Sequence, residues 1–113
     1  MKLAVISDIH GNLPAFKKAL EFISNLKKID QYIFLGDIVG YGPWSNECVE
    51  IVKSIKNCIK IKGNHEEYFI KGECDKKNVL AQNFFDYSFK NFNQIDEIKK
   101  YKESLFIKIQ KFP

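Results

Sequence analysis

Three short stretches carry side chains that seek metals: Asp8-Ile9-His10-Gly11-Asn12, Gly36-Asp37-Ile38-Val39-Gly40 and Gly63-Asn64-His65-Glu66. The chain's only two histidines lie in them. Carboxylate, imidazole and amide donors together suit hard or borderline divalent cations better than they suit a packed core. Asp8 and His10 are two residues apart, so extended backbone would turn both to one side, where they can share a metal. The two carboxylate oxygens of Asp37 can bridge a pair of metals, and Asn64 offers a neutral carbonyl oxygen to the second.

Each residue alone has an ordinary explanation. An Asp after a strand is commonly a turn or cap residue, and a single His is commonly a surface or core residue. Asn12 can contact phosphate or cap the following helix, and the two roles are compatible. Glu66 and Glu67 read as carboxylates of a first helical turn, favoured by the helix dipole. Tyr41 and Trp44 can line a pocket for a base or aryl group, or pack over their loop. The chemical signal lies in the ordering of the three stretches.

The elements needed to position them are legible. Leu3 to Ile6, Tyr32 to Leu35 and Cys58 to Lys62 are short apolar runs that read as strands. Pro14 suits a first helical turn, and Phe16, Leu20, Ile23 and Leu26 recur at helical spacing, which predicts a helix over 14–28. Ser45 or Asn46 can cap a second helix carrying Val49, Val52 and Ile55. Strands alternating with such helices imply an α/β fold with parallel strands joined by right-handed crossovers. Ligands bind beyond the carboxyl ends of such strands, which is where all three stretches fall. Further on, one helix is predicted near 77–92 and another from Ile95 to Ile109. The segment from Leu105 to Ile109 also partly alternates as a strand would, but helix is preferred.

Asp8-x-His10, Gly36-Asp37 and Gly63-Asn64-His65-Glu66 resemble the first three motif blocks of the calcineurin-like metallophosphoesterases. Gly36-Asp37-Ile38-Val39-Gly40-Tyr41-Gly42-Pro43 is similar to small prokaryotic phosphodiesterases and dinucleoside-tetraphosphatase relatives. The resemblance implies the first half of a four-layer αββα sandwich, in which two sheets pack face to face between helices. It implies two divalent metal ions (Mn, Fe or Zn), with Asp8, His10 and Asp37 on the first and Asp37 and Asn64 on the second. It makes His65 the catalytic acid or charge stabiliser near the leaving oxygen, and Asn12, Asn64 and His65 phosphate contacts. The reaction implied is hydrolysis of a phosphodiester or phosphomonoester, by hydroxide formed between two cations about 3.5–4 Å apart. A nucleotide or other small phosphate ester is the expected substrate.

No histidine follows His65, whereas the family draws further imidazoles from its back half. The expectation is therefore one apparently truncated domain over 1–113, with motifs in 1–70 and helices in 71–113. Its second metal site would be weak and one sheet face uncovered. A self-copy or complementing chain would then complete the site. The alternative is a non-catalytic module that keeps a partial metal and phosphate rim.

Composition bounds the other classes. With 45% hydrophobic residues and ten Phe, the chain is built to bury a core. Its net charge of +4 is spread over lysines without a dense basic block, so a specific nucleic-acid partner is not expected. No apolar run is long enough to span a membrane. Cys48, Cys58 and Cys74 have no C-x-x-C spacing, and Ser7-Asp8 breaks the first apolar run too early for an export signal, which suggests a cytoplasmic location.

Overall fold

The apolar runs form strands β1 (Leu3–Ile6), β2 (Gln31–Phe34) and β3 (Cys58–Lys60) in a computed structural model, which describes residues 1–26, 28–75 and 78–106. All pair in parallel in the order β1-β2-β3, with Ala4 beside Tyr32 and Tyr32 beside Cys58. Helices α1 (Leu13–Ser24) and α2 (Ser45–Ser54) make the two crossovers. Helices α3 (Asn64–Lys71), α4 (Val79–Phe89) and the single turn α5 (Ile95–Ile98) follow. The fold is the α/β class expected from the alternation.

The helices cover one face of the sheet. Phe34 is fully buried there and meets Phe16 of α1 edge to face, with ring centroids 5.9 Å apart. Cys48, Val49 and Val52 of α2 are equally buried, and burial pushes the Cys48 thiol up to about 12. Phe69 of α3 gathers Phe85, Phe89 and Phe92 around it at 5.7, 5.3 and 4.8 Å. On the opposite sheet face Val5 and Leu35 are exposed, while Ile33 of the central strand is buried. No helix among the described residues is long and apolar enough to cross a membrane.

Several element boundaries differ from expectation. Helix α1 stops at Ser24, whose hydroxyl donates to the Glu21 carbonyl. Such back-bonding competes with helix propagation, and Asp30 N–H is already committed to Lys2 O beside β1. Helix α3 begins at Asn64, which puts Glu66 and Glu67 in its first turn as expected. Helix α4 begins after Asn78, whose side chain accepts from Ala81 N–H at 2.7 Å.

The helix expected from Ile95 to Ile109 ends at Ile98. Lys102 instead pairs in parallel with Ile61, donating to Lys60 O at 2.9 Å while its carbonyl accepts from Lys62 N–H at 2.8 Å. Those bonds satisfy edge groups of β3 that a continuing helix would leave open. The rest of that expected helix, from Ile107 on, lies outside the described residues. Tyr101 is buried just before this edge, and its hydroxyl has no hydrogen-bond partner among the described residues.

The Phe16–Phe34 contact sets the distance between helix and sheet. Phe34→Ala is expected to lower the free energy of unfolding by about 3–5 kcal/mol, read as a shift in urea midpoint. A loss near that of a surface substitution would mean the helix layer packs differently.

Candidate metal centre

The loops after β1 and β2 are zipped together through backbone. Asp8 N–H donates to Gly36 O at 3.1 Å, His10 N–H to Asp37 O at 2.9 Å and Gly11 N–H to Ile38 O at 2.7 Å. Asp8, His10 and Asp37 take φ values of 58°, 48° and 57°. The extended backbone expected between Asp8 and His10 is therefore wrong. Both side chains are aimed by left-handed residues, a conformation costing about 1–3 kcal/mol each for a non-glycine residue. Strain of this kind concentrates where a side chain must be aimed and the surroundings over-determine it.

The result is a convergent donor set. Asp8, His10 and Asp37 each offer a ligand atom, all within 4.8 Å of one another. His10 Nδ1 lies 3.1 Å from Val39 O. Donation to that carbonyl fixes the tautomer and leaves Nε2 as the free lone pair. Nε2 stands 3.3 Å from Asp8 Oδ1. Two acceptors so placed repel unless a proton or a cation lies between them, so the geometry fits a divalent ion. The Ser7 hydroxyl donates to Asp8 Oδ2 at 2.5 Å and, ahead of the nearby histidines, holds that carboxyl below its usual range.

His65 and Asn64 open helix α3. His65 N–H donates to Asp37 Oδ1 at 2.9 Å, and its ring meets the His10 ring with centroids 4.6 Å apart. Gly40 is left-handed, and a Cβ there would collide with His65 Nδ1; a Cβ at Gly63 would collide with Asp37 Oδ1. These two glycines let the second and third loops interlock. Burial, then the charge of His10, lowers the pKa of His65 against the pull of Asp37 and Asp8. Asn64 is exposed and turned towards Tyr68, 3.4 Å from its hydroxyl.

Glu66 is the residue whose reach the sequence reading missed. It does sit in a first helical turn, but it is wholly buried. Its carboxylate accepts from Gly63 N–H at 2.8 Å, Asp37 N–H at 2.6 Å, Ile38 N–H at 2.9 Å and Val39 N–H at 3.2 Å. Burial pushes its pKa up while the N–H groups of Gly63, Asp37 and Val39 pull it back. Only the bond to Gly63 was legible, since Glu at the third helical position commonly reaches back to its own cap.

The remaining candidates divide. Asn12 caps α1, accepting from Ala15 N–H at 3.2 Å, and also lines a hollow with Asp8, His10, Tyr41 and Trp44. Neither Ser45 nor Asn46 caps α2. Ser45 accepts from Gly40 N–H at 3.1 Å and so steadies the second loop, while Asn46 binds the backbone of Asn91 and Asn93. Tyr41 packs against both histidines, 4.8 Å from each ring.

The calcineurin-like phosphoesterase family matches residues 1–110. An uncharacterized protein of Methanocaldococcus jannaschii is 50% identical over 64 residues, 57% of this chain and 26% of that protein. A symmetrical bis(5'-nucleosyl)-tetraphosphatase of Buchnera aphidicola is 32% identical over 110 residues, 96% of this chain and 40% of the relative. A crystal structure of a metallophosphoesterase from Sphaerobacter thermophilus superposes with a TM-score of 0.75 at 30% identity, over 95% of this chain and 44% of that one. The chain thus spans less than half the length of these proteins.

Two outcomes follow from the geometry. Glu66→Gln keeps the volume but sets an amide NH₂ against backbone N–H donors. It is expected to lower unfolding free energy by about 1.5–3 kcal/mol in urea titrations; a change within about 0.5 kcal/mol would deny it this role. The second outcome concerns pH. A histidine whose folded pKa lies below its unfolded value of about 6.5 binds fewer protons folded than unfolded. Stability is then lost as pH falls below about 6.5 towards the folded pKa. In the metal-free chain, His65→Gln is expected to lose less stability than wild type between about pH 7.5 and about pH 5.5. Equal losses would remove His65 from the pH response.

Proposed function

Because the chain belongs to the calcineurin-like phosphoesterase family, we propose that it contributes the front rim of a metal-dependent phosphoric ester hydrolase. The observation that carries this is the convergence of Asp8, His10 and Asp37, with ligand atoms within 4.8 Å, beyond the carboxyl ends of parallel strands. Asp8, His10 and Asp37 would hold one divalent ion, and Asp37 and Asn64 would serve a second. Mixed oxygen and nitrogen donors suit Mn²⁺, Fe or Zn²⁺. When bound, such ions supply hydroxide near neutral pH and hold charge on the phosphoryl oxygens. Phosphodiesters or phosphomonoesters of nucleotides are the substrate class, in keeping with the tetraphosphatase relative.

The chain's own residues do the rest. His65 is fixed by its backbone bond to Asp37 and kept uncharged by burial. It serves as a neutral hydrogen-bond donor to the leaving oxygen, and neighbouring cations would lower its pKa further. Asn12 and Asn64 contact the phosphate from either side of Tyr41. With only Asp37 and Asn64 on the second ion, water or ligands from a self-copy or complementing polypeptide would complete its shell. Free Cys48, Cys58 and Cys74 support a reducing compartment such as the cytoplasm. The scattered lysines support a small anionic ester rather than a specific nucleic acid as partner.

A second reading, a binding module that holds metal and phosphate without turnover, rests on the one donor cluster that the described residues bring together, Asp8, His10 and Asp37. Two measurements separate the readings. With Mn²⁺ at a hundredfold its Kd, binding stabilises the fold by about 2.7 kcal/mol, and Asp37→Asn is expected to lose most of the corresponding Tm shift. Hydrolysis of bis(p-nitrophenyl) phosphate that requires Mn²⁺ and vanishes in Asp37→Asn would establish the enzyme. Mn²⁺ binding without hydrolysis would leave the module, and no Mn²⁺ binding would refute both.

A further inference from the structure

Beyond His65, on the side away from Asp8, a hollow of about 220 Å³ opens between α3 and α4. We propose that it receives a planar aromatic ring carried by the phosphate ester, which makes it a specificity site for aryl or nucleobase esters. The proposal rests on the phosphoesterase reading and adds the part of the substrate that lies away from phosphorus.

His65 is shared between the two regions. Its ring lies 4.6 Å from that of His10 at the rim, and 4.8 and 5.4 Å from those of Tyr41 and Tyr68 in the wall of the hollow. Phe85 of α4 completes the aromatic lining. Interplanar angles of 56° and 60° present both faces and edges. An entering ring therefore meets the offset and edge-to-face geometries that aromatic pairs prefer at centroid distances of about 4.5–7 Å.

Size sets the occupant. Sites for drug-sized ligands run to roughly 300–1,000 Å³, and this hollow is smaller, so it holds one ring system while sugar and phosphate stay outside. Polar groups stand among the rings. Asn64 reaches in from the start of α3, and Ser88 donates its hydroxyl to Phe85 O at 3.2 Å, leaving oxygen lone pairs to accept from a ring substituent. On α4, Ala81 and Ser88 lie two helical turns apart on one face, and their small side chains leave the space open. Another hollow beside Tyr41, about 480 Å³ and lined by Asp8, His10, Asn12 and Trp44, stays available for the phosphoryl group. An ester whose phosphorus sits at the rim thus extends one arm past His65 into the aromatic lining.

The test uses the whole chain with Zn²⁺, titrated with phenyl phosphate, adenosine monophosphate, methyl phosphate and ribose 5-phosphate, and separately with phenol and adenosine. Phenyl phosphate should bind about tenfold tighter than methyl phosphate, or adenosine monophosphate about tenfold tighter than ribose 5-phosphate. Whichever pair shows the preference distinguishes aryl from nucleobase. The amide resonances of Tyr68 and Phe85 should move with the ring compounds alone. Ala81→Phe fills the hollow and should abolish the preference while methyl phosphate binding stays unchanged. Tyr68→Leu, which keeps an apolar side chain, should weaken it if the first variant does not fold. Equal affinities within both pairs, unmoved Tyr68 and Phe85 resonances, or a preference that survives in a folded Ala81→Phe would overturn the proposal. Failure of methyl phosphate to bind would count against the phosphoesterase reading, whereas phenol and adenosine would still decide the hollow.

Discussion

The buried carboxylate of Glu66 is the constraint on which the rim depends. Taking a carboxylate out of water costs several kcal/mol, and here four backbone N–H groups offset that cost. Three of them belong to consecutive residues of the loop after β2, which has no strand or helix partner of its own. Asp37 can therefore stay left-handed and still have its amide satisfied. The fourth, Gly63, opens the helix that carries Glu66, so one side chain ties the second loop to the third. Charge-assisted bonds of this kind are short and directional, which suits a site whose ligands must stand still.

Around that tie the three loops hold one another. The first lies on the second through the amides of Asp8, His10 and Gly11. The third reaches the second through His65 N–H and Asp37 Oδ1. Gly40 and Gly63 remove the side chains that would keep the loops apart. Three strained ligands on two loops would be costly if each were held separately. Held together, they form one stiff rim, and the aromatic lining behind His65 is fixed by the same packing.

The sheet presents two different surfaces. The helix-covered face carries Phe34 against Phe16 and the α2 valines, while Val5 and Leu35 stand exposed on the other. Exposed β-branched and leucine side chains on a sheet face are an unfavourable way to meet water. The matched tetraphosphatase and metallophosphoesterase are more than twice as long, with this chain covering 40% and 44% of them.

How much of this was legible depended on distance along the chain. The apolar runs, the helical spacing of Phe16 and Leu20 and the polar stretches after each run are local patterns. They gave the alternation of parallel strands and helices, the α/β class and the placing of Asp8, His10 and Asp37 beyond the strand ends, since alternating strands and helices leave few ways to connect. The pairing of Lys102 with Ile61 was not legible, because it turns on a backbone group far away in sequence. The same holds for Glu66. Its position in a first helical turn is local information, but the amides of Asp37, Ile38 and Val39 lie more than twenty-five residues earlier. By itself the sequence determined which donors stand at which strand ends. Only the tertiary structure decided that left-handed backbone aims them and that a buried carboxylate holds them, because both follow from satisfying polar groups that meet only after the chain has folded.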